Sequence, residues 1–532
     1  MNGEHRTEAN SPLFSSAFTI RRRCVMVIML FLLSQWGDII RLTTANGLSY
    51  VSNQNARSVA AANDTVWVVW SDNRNGRWQI YYKLSTNGGS GWSADAMVAD
   101  SGFCPTVVIP YPIGTQSIWG SVLAYCAFMT TKYGNWEIMT SFYSKSYAQW
   151  ITARFTTESH NSIYPSIAAD SSYILLLWMD DRTGNWEIRF RRSTDYGTTW
   201  SADSALTINS GHSWFPQAAL NRQKFYVVWQ DNRTGNFEIY FKKSTNAGRN
   251  WSSDSQLTST TSQSYWPTIA VKDNYIYVAY IEKGDELGRG YDDEIYFIRS
   301  TDEGNTWSSP INLSVGIENN FRTGDQYNSI CPSIVANKNF VGLVRERAIS
   351  IDNGGQQSWQ IEFRRSSDYG QTWQATWTTL ALCNNDDTLV WAPSLCADPV
   401  KDMAYVTWWK LVSATNAEVY IRKGTGVIGV DEWQYPAEQI SDFNCALFPN
   451  PFTKELNIKF PDLVGQEYTI KIYDSSGRLI KEFCIDPNQN TKIQSLKWGE
   501  LDNHGNSVPP GVYFILLKLR EKCIWKKVCK LE

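Results

Sequence analysis

Histidine is almost missing from this chain. Four occur in 532 residues, at His5, His160, His212 and His504, too few and too scattered for a histidine metal centre or an obvious Ser-His-Asp triad. Charge is also scarce: 19% of residues are charged and the net charge is −3, so the basic stripe that a nucleic-acid partner requires is lacking. No C-x-x-C pair suggests zinc. No metal and no cofactor is expected. One apolar run stands out, Val25 to Leu33, and it is too short to span a bilayer.

That run follows Arg21, Arg22 and Arg23, the order of a secretory signal, with cleavage expected near Ser34 to Gly37. Losing Cys24 with the leader leaves nine cysteines, an odd number. Export permits disulfides, and Cys383/Cys396 or Cys484/Cys523 are possible pairs.

What the chain has in excess is tryptophan, 25 residues, and a repeated phrase that ends in it. The run from 193 to 200, Ser-Thr-Asp-Tyr-Gly-Thr-Thr-Trp, has close copies in other repeats. The copies carry Asn87 and Trp92; Asp195, Gly197 and Trp200; Asn246, Gly248 and Trp251; Asp302, Gly304 and Trp307; and Asp368, Gly370 and Trp373. Each lies between the third and fourth strand-like segments of a unit of about fifty residues. The Asp or Asn is placed to bind turn N–H groups, the Gly to take a positive φ, and the Trp to pack into the blade. An active site occupies one place, so a phrase in five copies reads as architecture.

The units span 57–98, 104–156 (degenerate), 164–207, 215–258, 266–313 and 331–380. A seventh begins at Ala392 and lacks a fourth strand, which residues 38 to 43 are suited to supply. The fold class is therefore all-β: a propeller of four-stranded blades, seven with six as the alternative.

The repeated phrase resembles the Asp-box of sialidases and sialidase-like β-propellers, over residues 38 to about 425. The resemblance implies the fold and places ligands on the face bearing the loops between second and third strands. Those loops read Asp72-Asn73-Arg74, Asp180-Asp181-Arg182 and Asp231-Asn232-Arg233. They suit either a polar ring, with Asp72, Arg74, Asp181, Arg182, Asp231 and Arg233 facing a ligand, or Asp–Arg pairing repeated because the blade repeats. Trp214 and Trp266, in the crossings between blades, suit either sugar stacking or interblade packing. Arg57 falls where the arginine of the family's Arg-Ile-Pro motif would fall, and where other blades carry Pro165, Pro216 and Pro267. The Ile-Pro is missing, and no Tyr–Glu nucleophile pair is assignable, so catalytic residues stay unassigned.

Composition changes after Lys423. Alternating runs and Asp-Gly-type turns over 447–532 read as a small immunoglobulin-like β-sandwich. Pro449-Asn450-Pro451-Phe452, Ile472-Tyr473-Asp474, Gly477-Arg478, Trp498, Asp502 with Gly505, and Gly511-Val512-Tyr513 closely resemble the C-terminal sorting domain of the type IX secretion system. The expected organisation is a leader (1–36), a propeller (37–425), a linker (426–446) and a sorting domain (447–532). The expected function is extracellular glycan binding at the secreted or outer-surface end of type IX export. An exo-glycosidase of sialidase type and a structural or adhesive propeller are the alternatives.

Overall fold

A computed structural model describes residues 36–425 and 446–531, apart from 53–56, 111–115, 118–119, 284–292, 315–328, 338–339, 351–356, 383–388, 402, 414, 449–451, 460–467, 475–478, 486–494, 500, 504 and 520–521. The expected signal segment lies outside the described residues. So do several motif positions of the C-terminal segment, Pro449 to Pro451, Gly477 and Arg478 among them. The chain divides into two compact units, Met1–Gly429 and Val430–Glu532.

The described residues of the first unit form seven antiparallel sheets. The third is typical. Ser162–Asp170, Tyr173–Asp180, Glu187–Ser193 and Ser204–Ala205 pair in chain order. The innermost strands of successive sheets are neighbours all the way round, and Val390–Ala397 returns to Val59–Ala62. That arrangement is a propeller. Its last blade is closed by Trp36–Arg41 lying antiparallel to Asn416–Thr425, with Trp36 opposite Gly424 and Arg41 opposite Tyr420. The closing strand thus starts two residues before the expected 38. Trp36 belongs to the propeller and not to the leader: it is buried edge-on against Phe363, centroids 5.0 Å apart.

The core lies between blades. Ala168, Leu175, Leu177 and Ile188 of the third blade pack on Ala218, Phe225, Val227 and Trp229 of the fourth, and similar clusters fill other gaps. Second strands are apolar on both faces because each is covered by two neighbours. Trp67, Trp70, Trp178, Trp229 and Trp408, all on second strands, are fully buried there.

The repeated turn staples these gaps. The Gly197 N–H donates to Ser193 Oγ at 2.8 Å, and Asp195 Oδ1 accepts the Thr199 N–H at 2.9 Å. Gly248, Gly304 and Gly370 repeat the first bond on Ser244, Ser300 and Ser366. Positive φ occurs at both central residues, Tyr196 and Gly197, as in a type I′ turn, which the Thr198 N–H closes on the Asp195 carbonyl. The tryptophan packs on the preceding blade as well as on its own, where Trp251 lies 6.5 Å from Phe225. Trp200 stands edge-on to Phe155, Trp251 to Phe190, Trp307 to Phe241 and Trp373 to Phe297, each partner on the preceding blade.

The second unit is a sandwich of a three-stranded and a four-stranded sheet. Leu456, Ile458 and Trp498 from one sheet meet Ile470, Ile472, Tyr513, Ile515 and Val528 from the other. Cys484 aligns with Thr469, Thr469 with Lys518, and Lys518 with Cys523. Two strands lie between the cysteines, so their Cα atoms stand ~14 Å apart, beyond disulfide reach. In the propeller, Cys396 is a free buried thiol, and Cys383 lies outside the described residues.

Candidate functional site

The loops between second and third strands share one end of the propeller with the crossings between blades. Their arginines are committed within each blade. Arg74 grips Asp72 through Nε and Nη2, at 2.8 and 2.7 Å, and reaches Asp95, just before the fourth strand, with Nη1 at 2.6 Å. Arg233 repeats this on Asp231 and Asp254, and Arg182 on Asp180 and Asp203. Burial pushes the carboxyls of Asp72, Asp180 and Asp231 up, but hydrogen bonds from the paired arginine and from Ser and Trp neighbours outweigh it and leave each below its ordinary value. These arginines do not converge on a common point. In the third blade the arginine's partner is Asp180, the neighbour of the candidate Asp181. Strand pairing ends at Asp180 opposite Glu187, so Asp180 takes the arginine, while Asp181 accepts the N–H of Asn161 at 2.8 Å.

Inner strands carry a second repeated device at the same end. Cys104, Tyr164, Phe215, Trp266, Cys331 and Ala392 each precede a proline, and each adopts a positive φ at a bulge. A residue in this region before proline is strained, and bulges re-aim side chains. The bulge N–H is caught by the preceding blade: Trp266 by Gln230 Oε1 at 2.9 Å, Phe215 by Met179 Sδ at 3.3 Å, Ala392 by Glu346 Oε2 at 3.1 Å. Glu346 is almost wholly buried, and burial pushes its carboxyl up to about 8.

Blade one departs from the pattern. Its inner strand is split into Ser49–Tyr50 and Val59–Ala62, both paired with Thr65–Asp72. Seven positions separate Tyr50 from Ser58 in the sequence, where two separate Ile163 from Ser166 in blade three. Arg57 ends this insertion, and its Nη2 donates to the Ile269 carbonyl at 3.1 Å, on the inner strand of blade five. No carboxylate pairs with it among the described residues. Burial lowers its pKa.

Among the described residues of this end, aromatic rings form a continuous group. Trp359, Trp391, Trp409, Tyr50, Trp78 and Phe103 form an unbroken arc over blades six, seven, one and two. Successive centroids are 6.1, 5.4, 4.5, 5.5 and 5.1 Å apart. All but Trp409 are only partly buried. Of the expected aromatics, Trp214 stacks with Phe237 at 4.8 Å, and Trp266 stands edge-on to Tyr265 at 5.6 Å. Both lie across the ring from the arc, which the sequence reading missed. The signal was an aromatic just before or in the third strand, as at Trp78, Trp136, Trp186, Phe237 and Trp359.

Residues 446–530 match the family described as the secretion system C-terminal sorting domain. The second unit is that sorting domain. It supports a secreted or cell-surface location for the chain that carries it. No helix among the described residues is long and apolar enough to cross a membrane. No curated protein sequence matches the chain. Among solved structures, an ulvan lyase of polysaccharide lyase family PL25 aligns at TM-score 0.48 and 12% identity, covering 72% of this chain and 95% of that one. The endosialidase of phage phi92 aligns at TM-score 0.41 and 8% identity, covering 91% and 79%. The NanB sialidase of Streptococcus pneumoniae aligns at TM-score 0.34 and 11% identity, covering 73% and 71%. The propeller itself stands on the strand pairings above, with the sorting domain as its C-terminal companion.

Proposed function

We propose that this is a glycan-binding propeller delivered to the outer surface by type IX secretion, and that it binds through the aromatic end of the ring. The observation that carries the reading is the arc from Trp359 to Phe103. Partly exposed indole and phenol rings offer flat apolar faces to the C–H faces of sugars, while their polar edges and the surrounding loops serve the hydroxyls. Arg57 adds a cation with no carboxylate partner among the described residues. A sialidase-type glycosidase would draw on several arginines at one point, whereas Arg74, Arg182 and Arg233 are each closed on aspartates of their own blade.

The test is retention of the purified full-length protein on an immobilised glycan panel. Binding that is lost in Trp78→Ala and Trp391→Ala, with melting temperature largely kept, supports the reading. Retention by no glycan, or retention indifferent to both substitutions, overturns it. Turnover of an aryl sialoside that disappears in Arg57→Ala would favour the glycosidase instead.

A further inference from the structure

The seam between blades six and seven is fastened at several levels. At the aromatic end, Trp359 of blade six stands edge-on to Trp391 of blade seven, centroids 6.1 Å apart. The next residue, Ala392, donates its N–H to Glu346 Oε2 at 3.1 Å. Farther along, Ser333 Oγ accepts the Leu395 N–H at 3.1 Å, and Asn337 Nδ2 donates to the Asp398 carbonyl at 3.1 Å. The backbone is strained on both sides of the aromatic-end fastening: Cys331 and Ala392 hold φ of +53° and +57° directly before prolines.

Glu346 differs from its counterparts in the ring. The same bulge N–H is caught by Gln230 between blades four and five and by Met179 between blades three and four. Of these three acceptors only Glu346 can ionise. Its side chain is buried, and among the described residues its Oε1 has no hydrogen-bond partner. Its strand neighbours Arg345 and Arg347 point to the other face of the sheet. There both pair with Glu362, and Arg345 lies over the Trp377 ring at 4.0 Å. Arg364 is turned to the Leu313 carbonyl, and Arg365 lies toward the far end of its strand, opposite Gly342. The inner strand of blade six presents the Cys331 thiol and that of blade seven the Cys396 thiol. Burial pushes both up, and the Glu346 charge adds to the rise at Cys331. Burial also raises the Glu346 carboxyl, against the smaller opposite effect of the Ala392 N–H. Once ionised, this carboxylate has one donor and needs water at Oε1. Admitting water means parting the buried contact between the two blades.

We propose that Glu346 is a pH-sensitive latch: its ionisation parts the aromatic end of the seam, separates Trp391 from Trp359 and releases a glycan held across the two rings. The bonds made by Ser333 and Asn337 keep the rest of the seam closed, so the ring opens locally without unfolding. Release of a glycan rests on the glycan-binding reading; the latch itself does not.

The test is labelling of Cys331 by iodoacetamide in the full-length protein, read by peptide mapping at about pH 6 and about pH 9, on either side of the Glu346 titration. Cys104 is a second buried free thiol, at the same bulge in blade two. The ratio of the two labels therefore removes the general rise of thiol reactivity with pH. That ratio should rise about tenfold or more in the wild type. It should stay constant in Glu346→Gln, which keeps the acceptor and cannot ionise. Retention on the glycan panel should fall over the same range in the wild type and persist in the variant. A constant ratio in the wild type, or an equal rise in both proteins, overturns the latch whatever the glycan result. A rise confined to the wild type, with glycan retention indifferent to pH, overturns the control of binding. The same rise with no glycan retained at any pH overturns the glycan reading and leaves the latch standing. Should Glu346→Gln fail to fold, Glu346→Met, with the neutral acceptor found at Met179, takes its place.

Discussion

Arg41 and Glu418 are 377 positions apart in the chain, and their side chains meet at 2.5 Å. The Thr43 hydroxyl donates to the other oxygen of the same carboxylate. Glu418 is fully buried while Arg41 is partly exposed, so the carboxylate is the costly member to disturb. Glu418→Ala should lower unfolding free energy by about 3 kcal/mol, because it strands the buried Thr43 hydroxyl and removes the ion pair. Arg41→Ala should cost about 1 kcal/mol. Urea denaturation of the two variants checks the order.

Glu346 sets a pH dependence. Its folded carboxyl titrates near 8, above the ordinary glutamate value, because burial disfavours the anion. Stability from this group is complete below the ordinary glutamate range and is lost as pH rises through about 8. Glu346→Gln keeps an acceptor for the Ala392 N–H and has no proton to lose. The variant should match the wild type near pH 4 and exceed it by a few kcal/mol near pH 8. Melting curves across that range test this, and parallel curves would contradict it.

Two glycines separate backbone strain from crowding. Gly304 has φ +78°, and a Cβ there would meet Phe241 at 2.7 Å; Gly184 has φ +94° with nothing within 4 Å. Gly184→Ala should cost about 1 kcal/mol for the backbone alone, and Gly304→Ala about 2–4 kcal/mol as the Phe241 contact adds to it. Thermal unfolding of both should show the difference.

Arg233→Lys should lower the melting temperature while leaving glycan retention unchanged. Lysine cannot reproduce the two-pronged grip on Asp231 together with the bond to Asp254. A variant that melts normally but no longer binds would return this arginine to the ligand site.

Deleting residues 446–530 removes the sorting domain. The truncated chain should accumulate inside the native cell, as read by surface labelling and fractionation.

The ring was legible because it repeats. The stretch 36–50 before the first repeat echoes 254–265, the fourth strand and exit loop of another copy, and that echo marks the missing fourth strand. The Asp–Arg loops were legible as a repeated feature, but which of the adjacent Asp180 and Asp181 meets the arginine depends on strand register, and only Asp180 sits at the end of the ladder. The arc was not legible. Its six residues are drawn from four blades and from three different positions within a blade. A comparison of repeats highlights what blades share, whereas this surface is made where they differ. The 51–57 insertion escaped for the same reason, since aligning blade one from Arg57 onward left out the half-strand Ser49–Tyr50.

The closing register has a mechanical consequence. Trp36 lies opposite Gly424, so the chain enters and leaves the propeller at one end of one pair of antiparallel strands. Tension between the two ends would load the bonds of that pair one after another, as in a zipper. Shear would load them together. The joint that completes the ring against heat and denaturant is therefore the place where a pulling force would first open it.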